Sequence, residues 1–345
     1  MKSTDPTAFE RKKDHIDLAL QSQTSADQVD NRFYYEPVLS GHPYALQSDQ
    51  LQFLGHSFDH PIWISSMTGG TQWAATINKN LALVCKKYNL GMGLGSCRQL
   101  LYSLENFDDF NVRPYIGDRP LYANLGIAQL EELIETHRLN LIDELIDRLS
   151  ANGLIVHVNP LQEWLQPEGD RYHIAPVITI QKLIDKINTP IIVKEVGQGM
   201  GPASLKALME LPLQAIDFAA HGGTNFSMLE ILRRQNSDHD SLSPLIRLGH
   251  TALEMVQMVN DIWTKEDPSI QCREFIISGG IKNFLDGYYY ISLLKPASIY
   301  GQASGFLMYA RESFEILDQY IEGQTKGLAI ARTFLNVKES DTQSI

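Results

Sequence analysis

The chain has 345 residues, 43% of them hydrophobic, which is enough for one large α/β core. Its formal net charge of -12 gives no electrostatic case for nucleic acid or an anionic membrane surface, so an anionic ligand has to be held by local groups. Three widely spaced cysteines, Cys85, Cys97 and Cys272, match no CxxC pattern and argue against a disulfide framework or a cysteine zinc site. With a polar start and no apolar run of membrane-spanning length, they fit a reducing, cytoplasmic setting.

In chain order, residues 1–60 read as a polar, charged extension with loop signals such as Gly41-His42-Pro43. Eight short apolar runs then read as strands, at 61–65, 90–95, 120–124, 154–158, 190–196, 215–219, 275–278 and 298–300. Helical periodicity follows most of them, at 72–88, 140–151, 178–187, 202–211 and 283–294. Alternating strands and helices imply a parallel sheet buried on both faces, and eight such units fit a closed (β/α)8 TIM barrel better than a doubly wound sheet. The reading is one domain over 1–345, with the barrel at 61–337 and a polar tail at 338–345. An insertion between strands 6 and 7, about 233–273, opens with a polar loop and holds a further helix at 248–263.

Chemistry in such a barrel collects at the C-terminal strand ends. The first strand runs into Ser65-Ser66-Met67-Thr68-Gly69-Gly70, and the second into Gly95-Ser96-Cys97-Arg98, where an arginine suits bidentate phosphate recognition. The third ends in Asn124-Leu125-Gly126. On the fourth, His157 and Asn159 share a face, and Gln162 and Glu163 follow at once. One carboxylate among so few acids fits Mg2+, which takes a single protein carboxylate plus water and substrate phosphates. The fifth strand places Lys194 among apolar residues, with Glu195 facing the other way. The sixth ends in Gly222-Gly223-Thr224, the seventh in Ser278-Gly279-Gly280 and the eighth in Gly301-Gln302-Ala303-Ser304-Gly305. Such glycine turns expose backbone N–H groups to a phosphate.

Together these segments resemble the type 2 isopentenyl-diphosphate isomerase family, FMN-dependent (β/α)8 enzymes. The most specific of them are Arg11-Lys12-Lys13-Asp14-His15-Ile16 and the run from His157 to Glu163 with its extension Gln166-Pro167-Glu168-Gly169-Asp170-Arg171. The resemblance implies that isopentenyl diphosphate is converted to dimethylallyl diphosphate, with reduced FMN, Mg2+, and NADPH or NADH as reductant. It implies flavin contacts from Ser66, Met67, Thr68, Ser96, Asn124, Lys194 and Thr224, and a phosphate grip from Gly279, Gly280, Ala303 and Ser304. Arg11, Lys12, Ser96, Arg98, His157, Asn159 and Gln162 would surround the diphosphate substrate, and Glu163 would hold Mg2+. Gln162, His157 and Lys194 would be the catalytic set. The family assembles as homotetramers or larger, so Arg11 and Lys12 could cover a neighbour's barrel.

The chain departs from the family pattern at Ala219-Ala220-His221, where Ser-Gly is common. It departs again at Leu248, where Trp is common, and at Cys97, where Gln is common. These bear on flavin contacts, not on the groups assigned to metal or proton chemistry. Two rival readings are an FMN oxidoreductase of the hydroxy-acid oxidase kind, and a non-catalytic flavin-binding paralogue.

Overall fold

The computed structural model describes residues 7–43, 50–66, 72–233 and 239–338. Eight parallel strands close on themselves: β1 (Ile62–Ile64), β2 (Gly91–Gly93), β3 (Leu121–Gly126), β4 (Gly153–His157), β5 (Ile191–Lys194), β6 (Ala215–Asp217), β7 (Glu274–Ser278) and β8 (Ala297–Gln302). Each pairs with its neighbour in sequence, and β8 closes the barrel on β1 through Gly301 opposite Trp63. The eight runs of the sequence are these strands, with the third and eighth extended to 126 and 302, and the second and fifth trimmed to 91–93 and 191–194.

Alternation along each strand divides the side chains. One set, including Ile64, Met92, Val156, Val193 and Ile277, faces the surrounding helices and joins the large core. The helices bring matching apolar stripes. In Asn140–Leu149 the buried residues Ile142, Leu145 and Leu149 recur at helical spacing. Side chains with the right geometry set several helix starts. Thr251 forms a capping box with Glu254 at the head of Ala252–Trp263. The Asn283 side chain accepts from the amides of Leu285 and Asp286 at the head of Phe284–Leu293.

The other set fills the barrel. Trp63, Tyr122, Ile155, Ile192, Ala215, Ile276 and Ile299 pack together at its lower, N-terminal end. Residues 51–58, part of the N-terminal extension, do not stay outside this core. They form a hairpin of Leu51–Phe53 and His56–Phe58 whose Phe53, Leu54 and Phe58 are 1%, 3% and 0% exposed and pack under the barrel. Leu54 and Gly55, both with positive φ, make the turn, and the Leu54 amide donates to the Glu274 carboxylate at 2.8 Å. The reading of 1–60 as a polar leader misses this piece because two aromatics and a leucine within eight residues are too short a signal to show which face they bury.

After β6 comes the helix Phe226–Arg233, and the insertion that follows it carries a short 3-10 turn over Ser243–Arg247 and the helix Ala252–Trp263, where the sequence reading put a helix at 248–263. A long helix, Phe314–Phe334, follows β8, and its continuation Leu335–Val337 pairs antiparallel with Phe33–Tyr35. Among the described residues no helix is long and apolar enough to cross a membrane.

Candidate active site

Two residues beyond the apolar layer, the barrel interior turns polar. Asn124, His157, Lys194, Asp217 and Ser278 come from five successive strands, and their side chains meet above the apolar plug. The Asn124 amide nitrogen donates to the Leu94 carbonyl at 3.0 Å, so its oxygen is the acceptor facing His157 Nδ1 at 2.7 Å. That arrangement assigns the proton of His157 to Nδ1 and leaves Nε2 as the ring's acceptor. Burial, with the Lys194 charge beside it, lowers the His157 pKa to about 4, so the ring is neutral at pH 7. Lys194 in turn lies 3.3 Å from Asp217.

Above this layer is a cavity of about 690 Å3, within the usual range for a small-molecule or cofactor site. Of the residues singled out in the sequence, Ser66, Ser96, Asn124, His157, Lys194 and Thr224 line it. So do Gly279, Gly280, Ala303 and Ser304. Met67 and Thr68 fall outside the described residues. The glycine turn after β7 shows why it has no side chains. Gly279 and Gly280 have φ of +88° and +76°, and a Cβ on Gly279 would stand 2.0 Å from the Ala220 carbonyl oxygen. Lys282 and Gln302 also line the cavity and were not singled out. Gln302, 3% exposed, donates to the Ile281 carbonyl at 3.1 Å and so ties β8 to the turn after β7.

The cluster after β4 sits on the short helix Pro160–Leu165, which packs against Phe226–Arg233, whose Phe226 and Leu229 line the cavity. The Asn159 amide donates to Gln162 Oε1 at 3.1 Å and to Glu163 Oε1 at 3.0 Å. The other Glu163 oxygen accepts the Asp170 amide at 2.7 Å. Gln162 donates to Glu230 at 3.4 Å; Glu230, 2% exposed and not singled out from sequence, is also paired with Arg233 at 2.6 Å. Arg98 meets Asp170 at 2.5 Å, and Gln129 donates to the same carboxylate at 2.8 Å. Asn159, Gln162, Glu163 and Arg98 thus form a second shelf of polar groups beside the cavity rather than in its wall. Arg11 and Lys12 lie on the helix Ala8–Leu18, exposed to solvent, and neither lines the cavity.

Glu195 is on the outer side of its strand. One of its oxygens accepts the amides of Gly197, Gln198 and Gly199 at 2.6, 2.6 and 3.0 Å, which shapes the loop after β5. Burial raises its pKa against those amides. Ala219 takes a φ of 43°, and its amide donates to Ser278 Oγ. Cys97 is buried with its amide on the Asn124 carbonyl, and Leu248 is half exposed.

Three features fit a flat, phosphorylated cofactor: the glycine-lined turns, the volume, and two buried hydroxyls, Ser65 Oγ and Ser66 Oγ, without a hydrogen-bond partner among the described residues. No group of three or more His, Cys, Asp or Glu among the described residues is arranged to hold a metal, and both oxygens of Glu163 accept protein hydrogen bonds, from Asn159 and from the Asp170 amide.

No protein-family model matches the chain. It is 35% identical to a protein of Rickettsia africae (strain ESF-5) named isopentenyl-diphosphate delta-isomerase, over 318 residues covering 91% of this chain and 90% of that one. It is 36% identical to the protein of the same name from a Synechococcus strain, over 340 residues covering 94% and 91%. Its fold is similar to that of a flavocytochrome b2 variant with sulfite bound, with TM-score 0.58, 15% identity and 88% and 72% of the two chains covered. A mandelate oxidase variant with a monooxide FMN adduct gives TM-score 0.55, 11% identity and coverage of 89% and 88%.

Proposed function

Because the chain belongs to the isopentenyl-diphosphate delta-isomerase family, we propose that it converts isopentenyl diphosphate to dimethylallyl diphosphate by the FMN-dependent, type 2 route. The observation that carries the route is the barrel mouth itself, where glycine turns after β6 and β7, orphaned serine hydroxyls and Lys194 converge on one cavity. Ser66, Ser96, Asn124, Lys194 and Thr224 would hold the flavin ring and its side chain, with Met67 and Thr68 from the adjoining segment. Gly279, Gly280, Ala303 and Ser304 would hold its phosphate. Reduced FMN supplies an electron-rich ring that favours a developing positive charge nearby and can exchange protons.

The chain's own groups do the rest. Glu163 would anchor Mg2+, and through it the diphosphate, with Arg98 and Asn159 as further partners and Arg11 and Lys12 brought by a neighbouring copy in a homotetramer or larger assembly. Arg98, paired with the Asp170 carboxylate at 2.5 Å, is a donor of the kind that takes phosphate, and it would exchange one anion for the other. Held there, the five-carbon chain is confined beside Gln162 and the neutral His157, which can accept a hydrogen bond at Nε2 and orient water or substrate. Lys194 supplies the fixed positive charge that favours an anionic reduced ring. NADPH or NADH would reduce the flavin, and the cytoplasm is the setting we assign.

The reaction leaves reactant and product at one oxidation level, so reductant is needed to prime the protein and not once per turnover. Incubation with reduced FMN, Mg2+ and isopentenyl diphosphate in D2O should yield dimethylallyl diphosphate with deuterium in the new methyl group. Stoichiometric NADPH or O2 consumption, with no deuterium in recovered product, would instead support the hydroxy-acid oxidase kind of chemistry. FMN binding with no turnover at all would support the non-catalytic paralogue.

A further inference from the structure

Lys194 has two neighbours in register across the sheet. On β4 stands His157, a neutral ring that offers it no counter-charge. On β6 stands Asp217, whose Oδ2 lies 3.3 Å from the Lys194 Nζ; the two side chains are 11% and 1% exposed. Asp217 Oδ2 is buried and has no aligned hydrogen bond among the described residues, so proximity to the ammonium is what compensates it there. Its other oxygen accepts the Ser278 hydroxyl from β7, and Ser278 Oγ accepts the Ala219 amide at 3.0 Å. Lys194 and Ser278 line the cavity, but Asp217 does not. A carboxylate so placed touches no ligand and acts through its neighbours. Glu195, next in sequence to Lys194, is engaged with the loop amides on the outer side and cannot substitute for it.

We infer that Asp217 is a positioning residue: it fixes the Lys194 ammonium at the cavity wall, and preferential binding of the reduced, anionic flavin depends on that hold. The inference rests on the flavin reading above. It adds that the relevant unit is a pair on adjacent strands, steadied from a third by Ser278, and not a lone lysine.

Four proteins test it: wild type, Asp217→Asn, Lys194→Met, and the double variant, which buries no charge and guards against a variant that fails to fold. The first measurement is thermal unfolding of the flavin-free proteins. Each single variant should unfold below the double variant, since each leaves one buried charge without its partner. The second is the ratio of dissociation constants for oxidised and reduced FMN. Asp217→Asn should lower the wild-type ratio by on the order of tenfold, as should Lys194→Met, with the double variant no lower than either. A purely structural role would weaken both redox forms alike and leave the ratio unmoved. An Asp217→Asn protein that keeps the wild-type ratio, or a double variant whose loss is the sum of the two, overturns the inference. A wild type that binds neither form of FMN overturns the flavin reading and the inference with it. Additive unfolding shifts refute the pair alone.

Discussion

In the lower barrel stand Trp63, Tyr122, Ile155, Ile192, Ala215, Ile276 and Ile299; two residues further along the same strands stand Ser65, Asn124, His157, Lys194, Asp217, Ser278 and Gly301. A step of two returns a strand to the same face, so both sets point inward and lie about 7 Å apart along the strands. The lower set is apolar and sealed by the hairpin. The upper set is polar apart from Gly301, and Asn124 with His157, and Lys194 and Ser278 with Asp217, meet across strand boundaries. One register therefore serves two ends, and stability and chemistry are stacked rather than mixed.

That separation can be broken from either side. The largest effect is expected above the barrel. Glu163→Gln should lower turnover by on the order of 100-fold while thermal stability changes little, because a neutral amide is a poor Mg2+ ligand and the residue lies outside the core. Wild-type activity and Mg2+ dependence in that variant would remove the metal assignment. Below, Ile192→Ala should cost about 2–5 kcal/mol of stability by denaturant unfolding, with the KM for diphosphate unchanged. A large KM change would show that the two layers are not independent.

A smaller effect distinguishes the layers by pH. His157 is held neutral in the folded protein with a pKa lowered to about 4, below the roughly 6.5 of an unfolded histidine. Between those values the unfolded chain binds the extra proton. The stability contributed by neutral burial is therefore complete above about 6.5 and is lost as pH falls towards 4. His157→Gln should flatten that part of the stability–pH curve, and an unchanged slope would place the titrating group elsewhere.

The barrel was legible in the sequence because strands buried on both faces read as continuous apolar runs, and eight of them alternate with helices. The upper layer was legible where a polar residue interrupts such a run, as at His157 and Lys194. Asp217 follows the same rule, lying two residues after Ala215 and two before Ala219, yet a short strand among alanines gave it no prominence. Its role comes from register with Lys194, and pairing across strands is not written in either strand alone. Glu230 and Gln302 were hidden for the same reason, since their partners Gln162 and Ile281 lie on other segments. The hairpin under the barrel was missed because its three buried side chains acquire a hydrophobic face only once the barrel exists to receive them.

That hairpin also governs traffic. With Phe53, Leu54 and Phe58 stoppering the lower end, whatever enters this barrel comes in and goes out through the upper mouth. The groups assigned to the flavin stand at the strand ends, whereas Gln162 and Glu163, assigned to the diphosphate and its metal, stand beyond them on the helix after β4. Cofactor and substrate would then share one entrance. On the proposed assignments the flavin would have to enter first, and a diphosphate held over it would cover it.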